Sequence, residues 1–153
     1  MSSITISSAA AYFILSYIPV VIKAPYVFQN AKESGKSELE VNLAPRAAFA
    51  EAASKSENGS FLHRAQACHD NLLEGSSWFY SSLLFGMLST VPQKNIDAVA
   101  LVNICARTIY VWLYITGTVP WKGIARSVCF FTCICASGYL FVHAAILAPS
   151  RTW

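Results

Sequence analysis

Charged residues are scarce in this sequence, and its long apolar stretches contain almost none of them. Only 12% of the 153 residues are charged, against 55% that are hydrophobic, and the 11 basic and 8 acidic side chains leave a formal net charge of +3. The basic residues are dispersed along the chain, which argues against a nucleic-acid surface. The three histidines are scattered as well, so we expect no metal site.

The five cysteines do not have the spacing of a disulfide framework or of a zinc site. All of them fall inside predicted helices, where a cysteine usually packs as a small hydrophobic side chain. They are Cys68, Cys105, Cys129, Cys133 and Cys135.

Four apolar segments are long enough to cross a bilayer as helices, which takes about 20 residues each. They span residues 4–28, 61–91, 98–118 and 127–148. The first one ends in Lys23 and Pro25, without a small-residue cleavage site, so we interpret it as a span and not as a signal peptide. We therefore predict an all-α fold with a single domain over residues 1–153, a multi-pass integral membrane four-helix bundle.

The basic residues predict how these spans are oriented. Most of them precede the second span or lie between the third and fourth, and only Lys94 and Arg151 lie on the opposite side. The positive-inside rule therefore places the loop of about residues 30–60 in the cytosol. In that loop, residues 47–53 are a candidate short helix after Pro45, and the sequon at Asn58 is predicted to remain without a glycan.

Apart from Lys23 and Arg64 near the ends of their spans, three charges fall within the predicted spans: Asp70, Glu74 and Arg107. An unpaired charge at bilayer depth costs about 2.5–3.5 kcal/mol, so such residues usually pair with each other or line a site. Helical periodicity places Glu74 and Arg107 in polar stripes on the second and third spans, with two more polar residues at the predicted start of the fourth. The stripe residues are Arg64, Asn71 and Glu74, then Arg107, Tyr110 and Tyr114, then Arg126 and Ser127.

Two interpretations of these stripes remain open at this point. If the stripes face each other, they form a pocket at the cytosolic side for a small ligand that carries several charges, with guanidinium groups for its carboxylates and a carboxylate for its ammonium. Alternatively, Glu74 and Arg107 form an ion pair between helices that only holds the bundle together.

Four sequence motifs resemble those of one known family, the MAPEG superfamily of membrane-associated proteins in eicosanoid and glutathione metabolism. Residues 64–74 read RAQACHDNLLE and resemble its signature R-A-x-x-x-H-x-N-x-x-E. Residues 42–46, NLAPR, are similar to the N-x-x-P-R element of bacterial and fungal members. Residues 106–114 match the A-R-x-x-Y-x-x-x-Y helix, and Arg126-Ser127 the R-S pair that opens the last helix.

The resemblance implies a homotrimer in which glutathione, as co-substrate, binds between neighbouring subunits near the cytosolic face. It assigns catalysis to Arg126 and Ser127, which would face the thiol. The positions that would bind glutathione are Arg64, Asn71, Glu74, Arg107, Tyr110 and Tyr114. A thiol with a pKa near 8.5 is a poor nucleophile at neutral pH until a nearby cation or donor stabilises the thiolate. Arg126 and Ser127 would supply that stabilisation.

The chain departs from the family pattern in three places. Many active members have another arginine just before the asparagine, where this chain has Asp70. The stretch from Tyr114 to Arg126 is longer than usual. Phe130 replaces a tyrosine that some members carry. The first hypothesis is therefore a glutathione-dependent transferase or peroxidase acting on a lipophilic electrophile or hydroperoxide from the bilayer. The second is a non-catalytic protein that binds and presents a lipid, like the family's lipoxygenase-activating protein.

A third hypothesis is a structural bundle or a transporter whose buried charges only set the packing. Membrane lipids are partners under all three hypotheses. We expect the endoplasmic reticulum membrane if the source is eukaryotic and the inner membrane if it is bacterial.

Overall fold

A computed structural model describes residues 2–147, and the regular structure of this range is all helical, without a strand. Four helices are long and two are short. In chain order they are α1 (Ser3–Glu33), α2 (Glu38–Leu43), α3 (Pro45–Lys55), α4 (Gly59–Leu88), α5 (Gln93–Ile115) and α6 (Pro120–Leu147). The all-α prediction is confirmed, and α3 confirms the short helix expected after Pro45.

The long helices pack side by side. Helix α1 contacts α4 and α5, and α6 contacts the same two helices on their other side. The centre of this packing is Tyr12, whose ring stacks on Phe79 with 4.8 Å between centroids and whose hydroxyl donates to the Leu72 carbonyl oxygen at 3.1 Å. Tyr12 therefore ties α1 to α4 at the level of the signature motif.

Three of the helices, α1, α5 and α6, are long and apolar enough to cross a membrane. Together they support a multi-pass integral membrane protein. Helix α4 has the length but does not reach the same hydropathy, because its first half carries Arg64, Asp70 and Glu74. The prediction of four spans is thus supported for three of them and stays a prediction for α4.

The fourth predicted span begins earlier than expected. We predicted its start at residue 127, whereas α6 begins at Pro120, seven residues before it. Proline is favoured at the first position of a helix, because its backbone has no N–H to leave unpaired there and its φ is already helical. Arg126 and Ser127 therefore lie in the second turn of α6. The predicted end at Ala148 and the loop residue Arg151 lie outside the described residues.

The α2–α3 segment is tied to the rest of the protein by a small apolar core and by surface ion pairs. Val27, Val41, Ala52 and Leu62 form that core between α1, α2, α3 and α4. On the surface, Glu51 accepts hydrogen bonds from Lys36 and from Lys55, the latter at 2.8 Å. These two lysines lower the pKa of Glu51 to about 2. The two lysines therefore share one carboxylate, which compensates one of their two positive charges.

Candidate functional site

A cavity of about 340 Å³ opens between α4, α5 and the first half of α6. Five of the eight predicted site residues line it, so α5 and α6 bring the separate polar stripes together as the pocket interpretation expects. These five are Asn71, Tyr110, Tyr114, Arg126 and Ser127, and the rest of the wall is Gly123, Phe130 and Phe131.

Tyr114 connects the polar groups of this cavity. Its hydroxyl oxygen accepts a hydrogen bond from Asn71 Nδ2 at 3.1 Å, and its ring lies 5.0 Å from the ring of Tyr110. The guanidinium carbon of Arg126 is 4.2 Å from the Tyr114 ring centroid, which is a cation–π contact. The contact holds the Arg126 charge at the cavity without using its hydrogen-bond donors, which remain free for an anion.

Ser127 lies at the rim and is exposed. Its hydroxyl donates to the Gly123 carbonyl oxygen at 3.3 Å, one turn back along α6, as helical serines often do. The bond is long for an O–H donor, so little is lost when the hydroxyl rotates toward a ligand. Ser127 can therefore become a donor in the cavity, but in this arrangement it does not point its proton there.

Arg107 does not line the cavity but lies behind its wall. It is 1% exposed, and its guanidinium carbon is 5.3 Å from the Tyr110 ring and 5.4 Å from the Phe130 ring, two residues that do line the cavity. Its Nε and Nη1 atoms are buried without a hydrogen-bond acceptor within the described chain. A buried guanidinium with unused donors is costly, and its positive charge adds to that of Arg126 at the cavity.

Gly75 provides the space that Arg107 occupies. A β-carbon at Gly75 would lie 2.3 Å from Arg107 Nη2 and 2.9 Å from the Tyr12 hydroxyl oxygen, closer than such atoms approach in proteins. A glycine inside a helix costs up to about 1 kcal/mol relative to alanine. Here that cost has a structural reason, since a β-carbon at this position would force the buried guanidinium to move.

We expect Gly75→Ala to lower the melting temperature of the detergent-solubilised protein. Overpacking against Arg107 and Tyr12 costs about 1–3 kcal/mol, which outweighs the gain in helix propensity. Gly138→Ala is the matched control, because a β-carbon there has nothing within 4 Å, and it should leave the melting temperature unchanged or raise it. Equal effects of the two substitutions would show that Arg107 is not packed against Gly75.

Arg64 and Glu74 are the other two predicted site residues that do not line the cavity. Arg64 is half-buried with its Nε shielded and without an acceptor, and Glu74 is exposed on the surface of the single chain. Glu74 is three residues after Asn71 on α4, which places their β-carbons about 5–6 Å apart on one helix face. Glu74 is therefore next to the cavity, on the side that the described chain leaves open.

The ion pair considered between Glu74 and Arg107 does not form within residues 2–147. In that range the ion pairs are those of Glu51 with Lys36 and Lys55. Arg107 is instead surrounded by aromatic rings, and Glu74 faces outward. The interpretation in which these two charges lock the bundle of a single chain has no support in the structure.

Sequence reasoning missed two residues that shape the site. Tyr12 comes from α1, about sixty positions before the signature motif, and sequence alone does not show that it reaches Arg107, whose guanidinium carbon is 5.9 Å from its ring. Gly75 did leave a signal, because a glycine directly after Glu74 in the middle of a helix often marks a close approach.

The arrangement can bind a small anion and stabilise negative charge. Arg126 supplies a guanidinium at the wall, Asn71 and the two tyrosines supply neutral donors and acceptors, and Arg107 supplies a second positive charge behind them. Further along α6, Phe130 and Phe131 offer an apolar surface. The cavity therefore offers a ligand both a polar and an apolar surface.

The comparisons with known proteins give one match. The family model described as "MAPEG family" matches residues 1–146, nearly the whole chain. No curated protein and no solved structure matches.

Proposed function

The chain belongs to the MAPEG family, and on that premise we propose that it is an integral membrane enzyme that uses glutathione against a lipophilic electrophile or hydroperoxide. The observation that carries this proposal is the grouping of Arg126, Tyr114 and Asn71 around one cavity, with the Arg126 guanidinium held on an aromatic ring and its donors unused. Family membership supports a glutathione-related transferase or an activating protein; the cavity favours the enzyme.

The residues present fit glutathione in most respects. Its carboxylates and its thiolate need donors, which Arg126, Asn71 and the tyrosines provide. Its ammonium needs a carboxylate, and none lines the described cavity; Glu74 is the nearest by helix geometry, one turn from Asn71. We propose that Glu74 binds the ammonium at the open edge. Arg64, two turns before Asn71 on α4, would lie beside the same edge.

The proposed chemistry requires a thiolate at neutral pH. Arg126 stabilises the sulfur anion by charge, and Ser127, once its hydroxyl rotates, donates a hydrogen bond to it. In the transferase reaction the sulfur attacks an electrophilic carbon and the leaving group departs as an anion. In the peroxidase reaction it attacks one peroxide oxygen, giving an alcohol and a sulfenic acid, which a second glutathione converts to disulfide and water.

We propose further that α4 is the fourth span. At 30 residues it is about 45 Å long, and from Gly75 to Leu88 it carries no charge. It also packs on α1, α5 and α6, the three apolar helices. Its charged first half would lie at the cytosolic side, in line with the basic residues of the α2–α3 segment.

A trimer would explain why Glu74 faces outward. A carboxylate that faces lipid costs about 2.5–3.5 kcal/mol, and a neighbouring copy would cover it and close the open side of the cavity. We therefore propose the homotrimer that the family resemblance implies. Native mass spectrometry of the protein in detergent should show three copies; a monomer would leave Glu74 exposed and contradict the shared site.

Glutathione titration with calorimetry tests the proposal. Saturable binding is expected for the wild type, and Glu74→Gln should weaken it by about tenfold or more, because a charge-assisted contact contributes about 1.5–3 kcal/mol. Glu57→Gln is the control, an exposed carboxylate before α4, and should bind like the wild type. Equal binding by both variants would remove Glu74 from the site.

One observation favours the lipid-presenting alternative. Asp70 and Glu74 are both exposed on α4 and form no ion pair within the described chain. Two carboxylates one turn apart repel an anion such as glutathione. No binding at millimolar glutathione, together with retained binding of a lipophilic ligand, would make this alternative the better account.

A further inference from the structure

A second cavity, of about 420 Å³, lies between the second half of α1 and the α2–α3 segment, with Gln66 of α4 at one side. It shares no wall residue with the Arg126 cavity, and its volume is within the range of about 300–1,000 Å³ that is usual for ligand sites. Much of its wall is apolar, and the larger apolar side chains are Val20, Val27, Phe28, Val41 and Phe49.

The charged residues at this wall are both cationic, Lys23 and Arg46, and no described acidic residue lines it. Lys23 is half-buried; its Nζ lies 4.7 Å from the Phe49 ring centroid and donates to Gln66 Oε1. Arg46 is exposed on the first turn of α3 and makes no ion pair within residues 2–147. Two positive charges thus face a largely apolar space.

Asp70 is linked to Lys23 through Gln66 and forms no ion pair with it within the described chain. The Gln66 amide nitrogen donates to Asp70 Oδ1 at 2.7 Å and its oxygen accepts from Lys23, so the Gln66 side chain bridges the two charges. By contrast, the neighbouring lysines of the same segment, Lys36 and Lys55, are both paired with Glu51. Lys23 and Arg46, at the cavity wall, have no such carboxylate partner within the described chain.

The cavity also accounts for a motif that the proposed function leaves without a role. Asn42, Pro45 and Arg46, the defining residues of N-x-x-P-R, all lie in its wall. Pro45 begins α3 and so fixes the direction in which the next residue, Arg46, leaves the helix.

We propose that this cavity binds an anionic amphiphile, with its carboxylate or phosphate held by Lys23 and Arg46 and its acyl chain against Val27, Val41 and Phe49. A guanidinium binds such heads in a fixed, two-pronged geometry, and a lysine adds a point charge. The apolar wall then takes the chain out of water at about 25 cal/mol per Å². A free fatty acid and an anionic phospholipid of the bilayer share this chemistry.

Photo-crosslinking in phosphatidylcholine nanodiscs tests the proposal. A diazirine fatty acid should label the peptide that contains residues 41–49, and dodecanoate should compete while dodecanol should not. Arg46→Gln and Lys23→Gln should each reduce the saturable labelling about tenfold, and Lys55→Gln, whose charge pairs with Glu51, should leave it unchanged. Arg46 is exposed, so its variant tests the head-group contact without disturbing the packing.

The outcomes separate the sources and can overturn the proposal. Competition by dodecanoate identifies a free fatty acid as an occupant, and competition by phosphatidylglycerol in the nanodisc identifies a bilayer lipid; either supports the site. Equal competition by dodecanol, equal labelling of all variants, or labelling confined to segments outside residues 20–28 and 41–49 would contradict it. Competition by glutathione would also contradict it, because it would assign Lys23 and Arg46 to the glutathione site.

Discussion

Arg126→Ala is expected to lower glutathione-dependent turnover about 100-fold while leaving the affinity for glutathione within about threefold of wild type. Removing a preorganised group that stabilises developing negative charge typically costs 100- to 1,000-fold in turnover. Arg126 is well placed for this role, because Tyr114 holds its guanidinium from one face and leaves the donors free. Affinity depends on several other groups of the cavity, so it should change less.

The effect should depend on charge at that position and not on charge in general. Arg126→Lys keeps the charge but not the planar stacking on Tyr114, so we expect an intermediate loss. Lys122→Ala removes a charge one turn earlier on α6, where Nζ donates to the Thr116 carbonyl oxygen at 2.7 Å and does not line the cavity. It should retain turnover. Equal activity of Arg126→Ala and wild type, with an aryl halide and with an alkyl hydroperoxide, would remove Arg126 from catalysis.

Arg107→Met is expected to make the protein more stable and less active. The Nε and Nη1 atoms of Arg107 are buried without acceptors, and an unsatisfied buried polar group costs about 1–3 kcal/mol, or more when charged. Methionine fills much of the same space and adapts to its neighbours. The free energy of unfolding should therefore rise by about 1–3 kcal/mol.

The same substitution should lower turnover about tenfold, because the cavity loses the second positive charge behind Tyr110 and Phe130. Arg46→Met, at an exposed position, is the control for stability and should change it by less than about 0.5 kcal/mol. Thermal unfolding in detergent and steady-state kinetics measure the two effects. A loss of stability in Arg107→Met would show that an acceptor from outside the single chain, such as a neighbouring copy, satisfies the guanidinium.

The sequence predicted which residues form polar stripes and left open whether the stripes meet. Helical periodicity placed Tyr110 and Tyr114 on one face of α5 and Asn71 on one face of α4, and the structure joins them with the Asn71–Tyr114 hydrogen bond. A polar side chain that faces lipid is costly, so polar residues in apolar helices usually face the interior of the bundle and each other. This part of the prediction therefore rests on a strong physical constraint.

Helical periodicity could not predict which residues of each stripe point into the cavity and which lie behind it or outside it. Arg107 shares a helix face with Tyr110 and Tyr114, but it points past them toward Tyr12 because Gly75 leaves space there. Glu74 shares a face with Asn71, but that face is wider than the surface that α5 and α6 cover. Both differences depend on which helix packs where, and this is tertiary information that one helix does not contain.

Helix α6 begins before the predicted fourth span for a local reason. The segment after Thr118 contains Pro120 and Gly123, which we took as loop residues, yet proline at the first helical position begins α6. The early start moves Arg126 from the predicted helix end into the second turn, where its side chain reaches the ring of Tyr114 on α5.

The most direct test of the account is the pKa of the glutathione thiol when it is bound. Ultraviolet difference absorbance of the thiolate, followed over pH at saturating glutathione, should give a midpoint about two units below the free value of about 8.5 for the wild type, which corresponds to about 2.7 kcal/mol. In Arg126→Ala the midpoint should return close to the free value. A bound thiol that titrates like free glutathione in the wild type would contradict the account.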